Sequence, residues 1–292
     1  MNIRYPARAG QFYESASMPC EHHAQKLFES VVLPDRLPSP LYGGIVPHAG
    51  WMYSGKLAAS TLKALDADAP LERVVIFGAD HVGQARQGEV YDSGVWRTPM
   101  GEVAIDRELA EAIISAGDLL RSNVAAHEGE HAIEVQVPLL QYLRPNVTIV
   151  PIIVPPTGDA VKIGDLVGAT LAETFGDAGI RVIGSTDLTH HAGHFPAPGG
   201  RGAQGVQWAR ENDHRIIELI EAMDAGQIVP EAQEHENACG GGAIAATIAA
   251  CRAMGASAGI TLAYSNSYEI IHQIYPSDAD DTTVGYLSAI FA

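Results

Sequence analysis

The sequence predicts an α/β fold: a central sheet, mostly parallel or mixed, with helices on both faces. Three observations carry this. Continuous apolar runs recur at 73–78 (Arg-Val-Val-Ile-Phe-Gly), 147–154 and 180–185 (Ile-Arg-Val-Ile-Gly-Ser). Such runs fit strands buried on both faces. Stretches with helical spacing, such as 106–116 and 159–175, alternate with them, and that alternation is the pattern of a sheet covered by helices. No internal repeat, low-complexity linker or composition break divides the chain, so residues 1–292 are read as a single domain.

Residues 4–13 are irregular but rich in arginine and aromatics. They read as a terminal strap packed on the core, more than as a route for Arg8 or Tyr13 into a site. Residues 19–31 have helical spacing, and Pro34, Pro38 and Pro40 make a loop after them. The stretch 43–55 reads Gly-Gly-Ile-Val-Pro-His-Ala-Gly-Trp-Met-Tyr-Ser-Gly. Ile45-Val46 ends a strand there, because Pro47 lacks the N–H that a central strand donates. His48 follows at the strand's carboxyl edge, and 56–65 is predicted helical. The strand 73–78 likewise runs into Ala79-Asp80-His81.

Residues 89–96 form a short β excursion turning at Ser93-Gly94, and 98–101 is a turn. Asp106 is the expected N-cap of the helix 106–116. Residues 133–143 are predicted helical with an interruption at Pro138. Pro151 within 147–154 points to an edge strand or a bulge. The strand 180–185 runs into Thr186-Asp187-Leu188-Thr189-His190-His191. A flexible loop (199–205) and a long helix (207–225) follow. Cys239 and three glycines open a helix of small residues reaching about Met254. Residues 260–265 and 284–291 close the sheet, with an acidic loop at 276–283 between them.

Composition narrows the function classes. Of 292 residues 47% are hydrophobic and 18% charged, enough for a sizeable core and too few charges for long disordered tails. The net charge of −17 repels phosphate backbones, so no nucleic-acid partner is expected. No signal-like leader and no membrane-length apolar run occurs; the best stretch, 243–250, stops at Cys251-Arg252. Three cysteines without framework spacing (Cys20, Cys239, Cys251) fit a reducing compartment. These readings give an expected cytoplasmic location.

Ligands in open α/β sheets sit outside the carboxyl ends of strands. His48, His81 and Asp187 with His190 or His191 all follow strands, and Cys239 precedes a helix. Imidazole, carboxylate and thiolate together suit zinc, copper or ferrous iron, not magnesium or calcium. A thiol at a helix start is expected to have a lowered pKa. Read alone, Cys239 is a small buried hydrophobe; read with the three similar loops, it points to a shared site. His127-Glu-Gly-Glu-His131 matches the H-E-x-x-H pattern of zinc proteases. Gly129 interrupts the helix that this pattern needs, so a pocket-lining or capping role for His131 and Glu134 is favoured. No G-x-S-x-G or Walker loop occurs. Gly200-Arg-Gly202-Ala-Gln-Gly205 lacks the preceding strand of a dinucleotide site.

Seven motifs in order are more specific than any one. They are Arg4…Ala9-Gly10-Gln-Phe-Tyr13, Pro47-His48-Ala-Gly50…Tyr53-Ser-Gly55, Gly78-Ala-Asp-His81, Trp96-Arg-Thr-Pro99-Met-Gly101, Glu130-His131-Ala-Ile-Glu134-Val-Gln-Val-Pro138, Ser185-Thr-Asp187-Leu-Thr-His190 and Cys239-Gly240. Together the chain resembles the Memo family, whose bacterial and archaeal members are often called the B protein of the AmmeMemoRadiSam system. The resemblance implies a fold shared with class III extradiol dioxygenases. It implies a metal set of His48, His81 and Cys239, with Fe(II) foremost and copper or zinc as alternatives. It implies proton transfer by His190 beside Asp187, with His191 an extra imidazole that leaves the choice open. It further implies a small, aromatic substrate, and AMMECR-like and radical SAM partner proteins. This chain departs from the family's pattern at Asp80, expected to add a carboxylate beside the metal, and at Val82. Two function classes follow: a metal-dependent oxidoreductase, or a non-catalytic protein that recognises a peptide or protein through the same pocket.

Overall fold

Neighbouring residues on a strand face opposite sides of its sheet, so a run apolar at every position needs cover on both. The run 73–78 has that cover: Val74 and Ile76 enter one core, Val75 and Phe77 the other. The structure, a computed structural model, describes residues 2–176, 179–276 and 280–292.

The described strands are β1 (Ile3–Arg4), β2 (Gly43–Val46), β3 (Arg73–Gly78), β4 (Gly88–Val90), β5 (Val95–Thr98), β6 (Gly101–Ile105), β7 (Leu120–Ser122), β8 (Thr148–Ile153), β9 (Ile180–Ser185), β10 (His190–His191), β11 (Gly259–Asn266) and β12 (Thr283–Phe291). The helices are α1 (Ser17–Ser30), α2 (Trp51–Asp68), α3 (Arg107–Ser115), α4 (Val137–Leu143), α5 (Ala160–Thr170), α6 (Gly202–Glu221), α7 (Ala225–His235), α8 (Gly241–Met254) and α9 (Ser267–Ile274). All strands join one mixed sheet, ordered β1-β5-β6-β8-β3-β9-β2-β12-β10 along its main path. Its centre, β8-β3-β9-β2, is parallel, and β12 runs antiparallel to β2. One face is covered by Phe28 of α1, Leu62 and Leu65 of α2 and Leu139 of α4. The other is covered by Ile163 of α5, Ile216 of α6 and Ile244 and Ile248 of α8. The predicted α/β architecture is therefore observed.

Several local expectations are corrected. Pro151 sits in an interior strand: β8 pairs with β3 on one side and with β6 and then β4 on the other. The Pro151 carbonyl accepts from Tyr91 N at 2.9 Å. Its missing N–H therefore faces the same side, at the seam where β6 gives way to β4, and no ladder bond is lost. The stretch 133–143 is helical in two pieces, a 3-10 turn at Glu134–Gln136 and then α4, and the change falls just ahead of Pro138. Pro138 occupies the first turn of α4, where the N–H that proline lacks would have no partner within α4. The loop predicted at 199–205 ends sooner, since α6 starts at Gly202; the helix expected to run to 225 stops at Glu221, and α7 follows as a separate helix. In the acidic loop 276–283, residues 277–279 lie outside the described residues. Asp106 does cap α3, accepting from Leu109 N at 3.1 Å. Among the described residues, no helix is long and apolar enough to cross a membrane.

Candidate metal centre and its cavity

β9 lies between β3 and β2, and all three run parallel, so their carboxyl ends open on one edge. His48 leaves β2, His81 leaves β3, and Asp187 leaves β9. β12, running antiparallel, brings Val284 to the same edge. Cys239 arrives just ahead of α8, held by its N–H on the Asp187 carbonyl at 3.2 Å. Gly240 permits this approach: a Cβ there would lie 2.8 Å from Thr186 Cβ. The glycines after Cys239 thus serve packing against protein, with Gly242 pressed on the Val154 and Pro155 carbonyls.

Three imidazoles meet at this edge. Ligand nitrogens of His48, His81 and His131 all lie within 4.8 Å of one another. The Cys239 sulfur lies 3.2 Å from His48 Nε2, but it is not among the donors that all lie within 4.8 Å of one another, where His131 stands with His48 and His81. Each of the two strand-end rings is fixed from behind. His48 Nδ1 meets Ser185 Oγ at 3.2 Å, and His81 Nδ1 meets Glu130 Oε1 at 2.9 Å. Such contacts turn the opposite ring nitrogen toward a site.

Glu130 is a hub that sequence reasoning did not assign. Its buried carboxylate also accepts from the backbone N–H of His81 (2.6 Å), His131 (2.6 Å) and Ala132 (2.8 Å). Burial alone would lower the His81 pKa, but the Cys239 sulfur and Glu130 overcome it and raise it to about 10. Burial alone would raise the Cys239 thiol, but His48 and His81 bring it down to about 6. The cause is therefore the neighbouring imidazoles rather than the helix start. His131 is pushed down to about 3 by burial and by the charges of His48 and His81.

Asp187 Oδ1 accepts from His48 N at 2.7 Å, and burial lifts its pKa to about 6. His190 is lowered by burial, with the Asp187 charge opposing. His190 lines the cavity, whereas His191 is fully buried and packs on Trp208 at 5.1 Å. Of the adjacent pair, His190 is therefore the one on the cavity wall. Asp80 is not beside it. Its carboxylate accepts from Gly83, Gln84 and Ala85 N within its own loop.

The rings open onto a cavity of about 520 Å³ whose walls include Phe12, Tyr53, Phe195 and Tyr268. Phe12 and Gln11 come from the N-terminal strap, so the strap both packs on the core and contributes two wall residues. Glu134 does not line the cavity; it holds the strap. His131 does line it, edge-on to Phe12 at 5.1 Å. The protease pattern fails structurally. Gly129 takes φ +80, and His127 turns away to bond the Glu89 carbonyl at 2.9 Å.

Behind His190, Asp213 of α6 is buried and accepts from Thr189 N at 2.8 Å and Tyr264 Oη at 2.7 Å. Burial raises its pKa to about 7. The folded pKa exceeds the ordinary carboxylate value, so between about pH 4 and 7 the native state holds a proton that the unfolded state lacks. This group therefore lowers stability as pH rises through that window, with a limiting slope of about 1.4 kcal/mol per pH unit. Denaturant titrations at pH 5 and 7.5 are expected to show less loss for Asp213→Asn than for wild type; equal losses would refute the assignment.

These features define a class: an α/β protein with a histidine cluster, of the kind that can hold a metal ion, at the carboxyl edge of its sheet. A family profile described as Memo-like protein matches residues 4–290. A MEMO1 family protein of Methanothermobacter thermautotrophicus is 36% identical over 92% of this chain and 95% of its own. Another, of Methanopyrus kandleri, is 35% identical over 99% and 98%. The chain belongs to the Memo family.

Proposed function

We propose that this Memo protein holds one transition-metal ion on His48, His81 and Cys239 and acts as a non-haem oxidoreductase of the extradiol dioxygenase kind. Fe(II) is the favoured ion, with copper or zinc as alternatives. The observation that carries the reading is the Cys239 sulfur at 3.2 Å from His48 Nε2, with the His81 ring centroid 5.1 Å from that of His48. The donor set fits such an ion: imidazole and thiolate select these metals over magnesium or calcium, and both rings are backed by oriented partners. When bound, the ion would supply Lewis acidity and redox capacity.

The chain's own residues supply the rest. Phe12, Tyr53, Phe195 and Tyr268 offer aromatic walls to a small, flat substrate. His190 is the proton carrier: burial keeps it neutral, and Asp187 favours its charged form. Both reach the cavity. AMMECR-like and radical SAM proteins as partners, and a cytoplasmic location, complete the proposal; support for these comes from family membership.

Metal analysis of protein purified anaerobically with iron tests the centre. Wild type is expected to carry about one ion per chain. His48→Ala, His81→Ala and Cys239→Ala should each lose most of it; unchanged content in all three would end the proposal. A recognition role without turnover is the second reading, since the same aromatic walls suit an apolar side chain of a partner. Oxygen uptake with small aromatic substrates that vanishes in His190→Ala supports the enzyme. Partner capture that survives His190→Ala supports recognition.

A further inference from the structure

We infer that His131 is a fourth, exchangeable donor, so that the resting ion sees three imidazoles and one thiolate. The inference rests on the metal centre proposed above and adds a residue to it. Three observations carry it. The nitrogens of His131, His48 and His81 already lie within 4.8 Å of one another. In a tetrahedral site with bonds of 2.0–2.1 Å, donor nitrogens sit about 3.3 Å apart, so side-chain rotation of an ångström or so closes the set. The His131 ring is in place for this: it stacks on His81 with centroids 4.6 Å apart and stands edge-on to His48 at 5.4 Å.

The ring is also the least restrained of the three. His48 and His81 each have a hydrogen bond behind the ring, at 3.2 and 2.9 Å. Among the described residues the His131 ring has no such bond; its nearest acceptor is Glu130 Oε1 at 3.4 Å. Its backbone, by contrast, is pinned to Glu130 at 2.6 Å. A fixed backbone with a loosely held ring suits a donor that can bind and let go. Finally, His131 lines the cavity while Cys239 stands behind it. His48 and His81 line the cavity too, but their rings are bonded from behind, so an entering molecule either adds a position to the ion or displaces His131, the donor held least. The two strand-end histidines and the sulfur would stay bound throughout.

Cobalt(II) provides the test, because its visible spectrum reports coordination number and sulfur ligation. The variants are His131→Ala and His131→Phe; the latter keeps a flat ring between His81 and Phe12 but removes the donor nitrogens. Wild type is expected to bind one cobalt with a sulfur charge-transfer band and the intense ligand-field bands of four-coordination. Both variants should keep the sulfur band. Their ligand-field bands should shift as water takes the place of the imidazole, and they should bind cobalt at least about tenfold more weakly, the low end of what losing a partner behind a ligand costs. If either variant keeps the wild-type spectrum and affinity, the inference is overturned and the parent centre stands. If wild type binds no cobalt at all, both fall.

Discussion

Replacing Glu134 by alanine is expected to cost about 3–5 kcal/mol of stability, the penalty for breaking a buried ion pair from one side. Glu134 and Arg4 are almost wholly buried and bonded to each other. The Glu134 carboxylate also accepts from Ala7 N and Arg8 N at 2.8 Å and from Tyr13 Oη at 2.7 Å. Its loss strands the guanidinium under Trp96, where Arg4 lies 4.4 Å from the ring, and leaves three more donors without an acceptor. The strap carries Phe12 and Gln11 into the cavity, so damage is expected at the site as well as in the fold. Denaturant midpoints measure the first, and proteolysis ahead of residue 16 measures the release of the strap. A midpoint within error of wild type would show that the strap is held elsewhere.

Gly164→Ala decides between two opposed effects. In an exposed helix interior, alanine in place of glycine stabilises by roughly 1 kcal/mol. Here a Cβ on Gly164 would lie 2.2 Å from the Ala246 carbonyl oxygen, and one on Gly168 2.4 Å from that of Ala250. The obstacle in both cases is the backbone of α8, not a side chain that can swing aside. α5 and α8 must move apart, and overpacking of that kind costs about 1–3 kcal/mol or more. Net destabilisation is expected for Gly164→Ala, larger for Gly164→Val, read by thermal or denaturant unfolding. Gly226→Ala in α7 is the control, since its Cβ would meet only Asp224 Oδ1 at 3.7 Å. Stabilisation by Gly164→Ala would contradict the close contact.

How much of this was legible in the sequence follows from what each feature depends on. β3, β8 and β9 are continuous apolar runs, and a strand covered on both faces needs nothing else to announce it. Pro151 misled because a missing N–H matters only on the side where a neighbour needs it, and the sequence does not show where β6 hands over to β4. α7 was hidden by Pro230 in its interior and by a polar composition, and the start of α6 by the glycines around it. At the site, the residues that leave strand ends were visible: His48, His81, Asp187 and His190 each follow a run that stops. Glu130 was visible only as part of a motif, because it sits in an irregular segment without periodicity and acts by collecting backbone N–H groups. Phe12 escaped for a similar reason, since a strap is placed by its anchor, and Glu134 is more than a hundred residues away.

Glu130 carries a further consequence. With the His81 ring and the main chain at 81, 131 and 132 all hung from one carboxylate, the two histidine loops behave as one mechanical part. Shortening that side chain retracts both, and lengthening it advances both. The spacing of these two main-chain segments is therefore an inherited dimension of the scaffold, while the His131 ring keeps a rotation of its own.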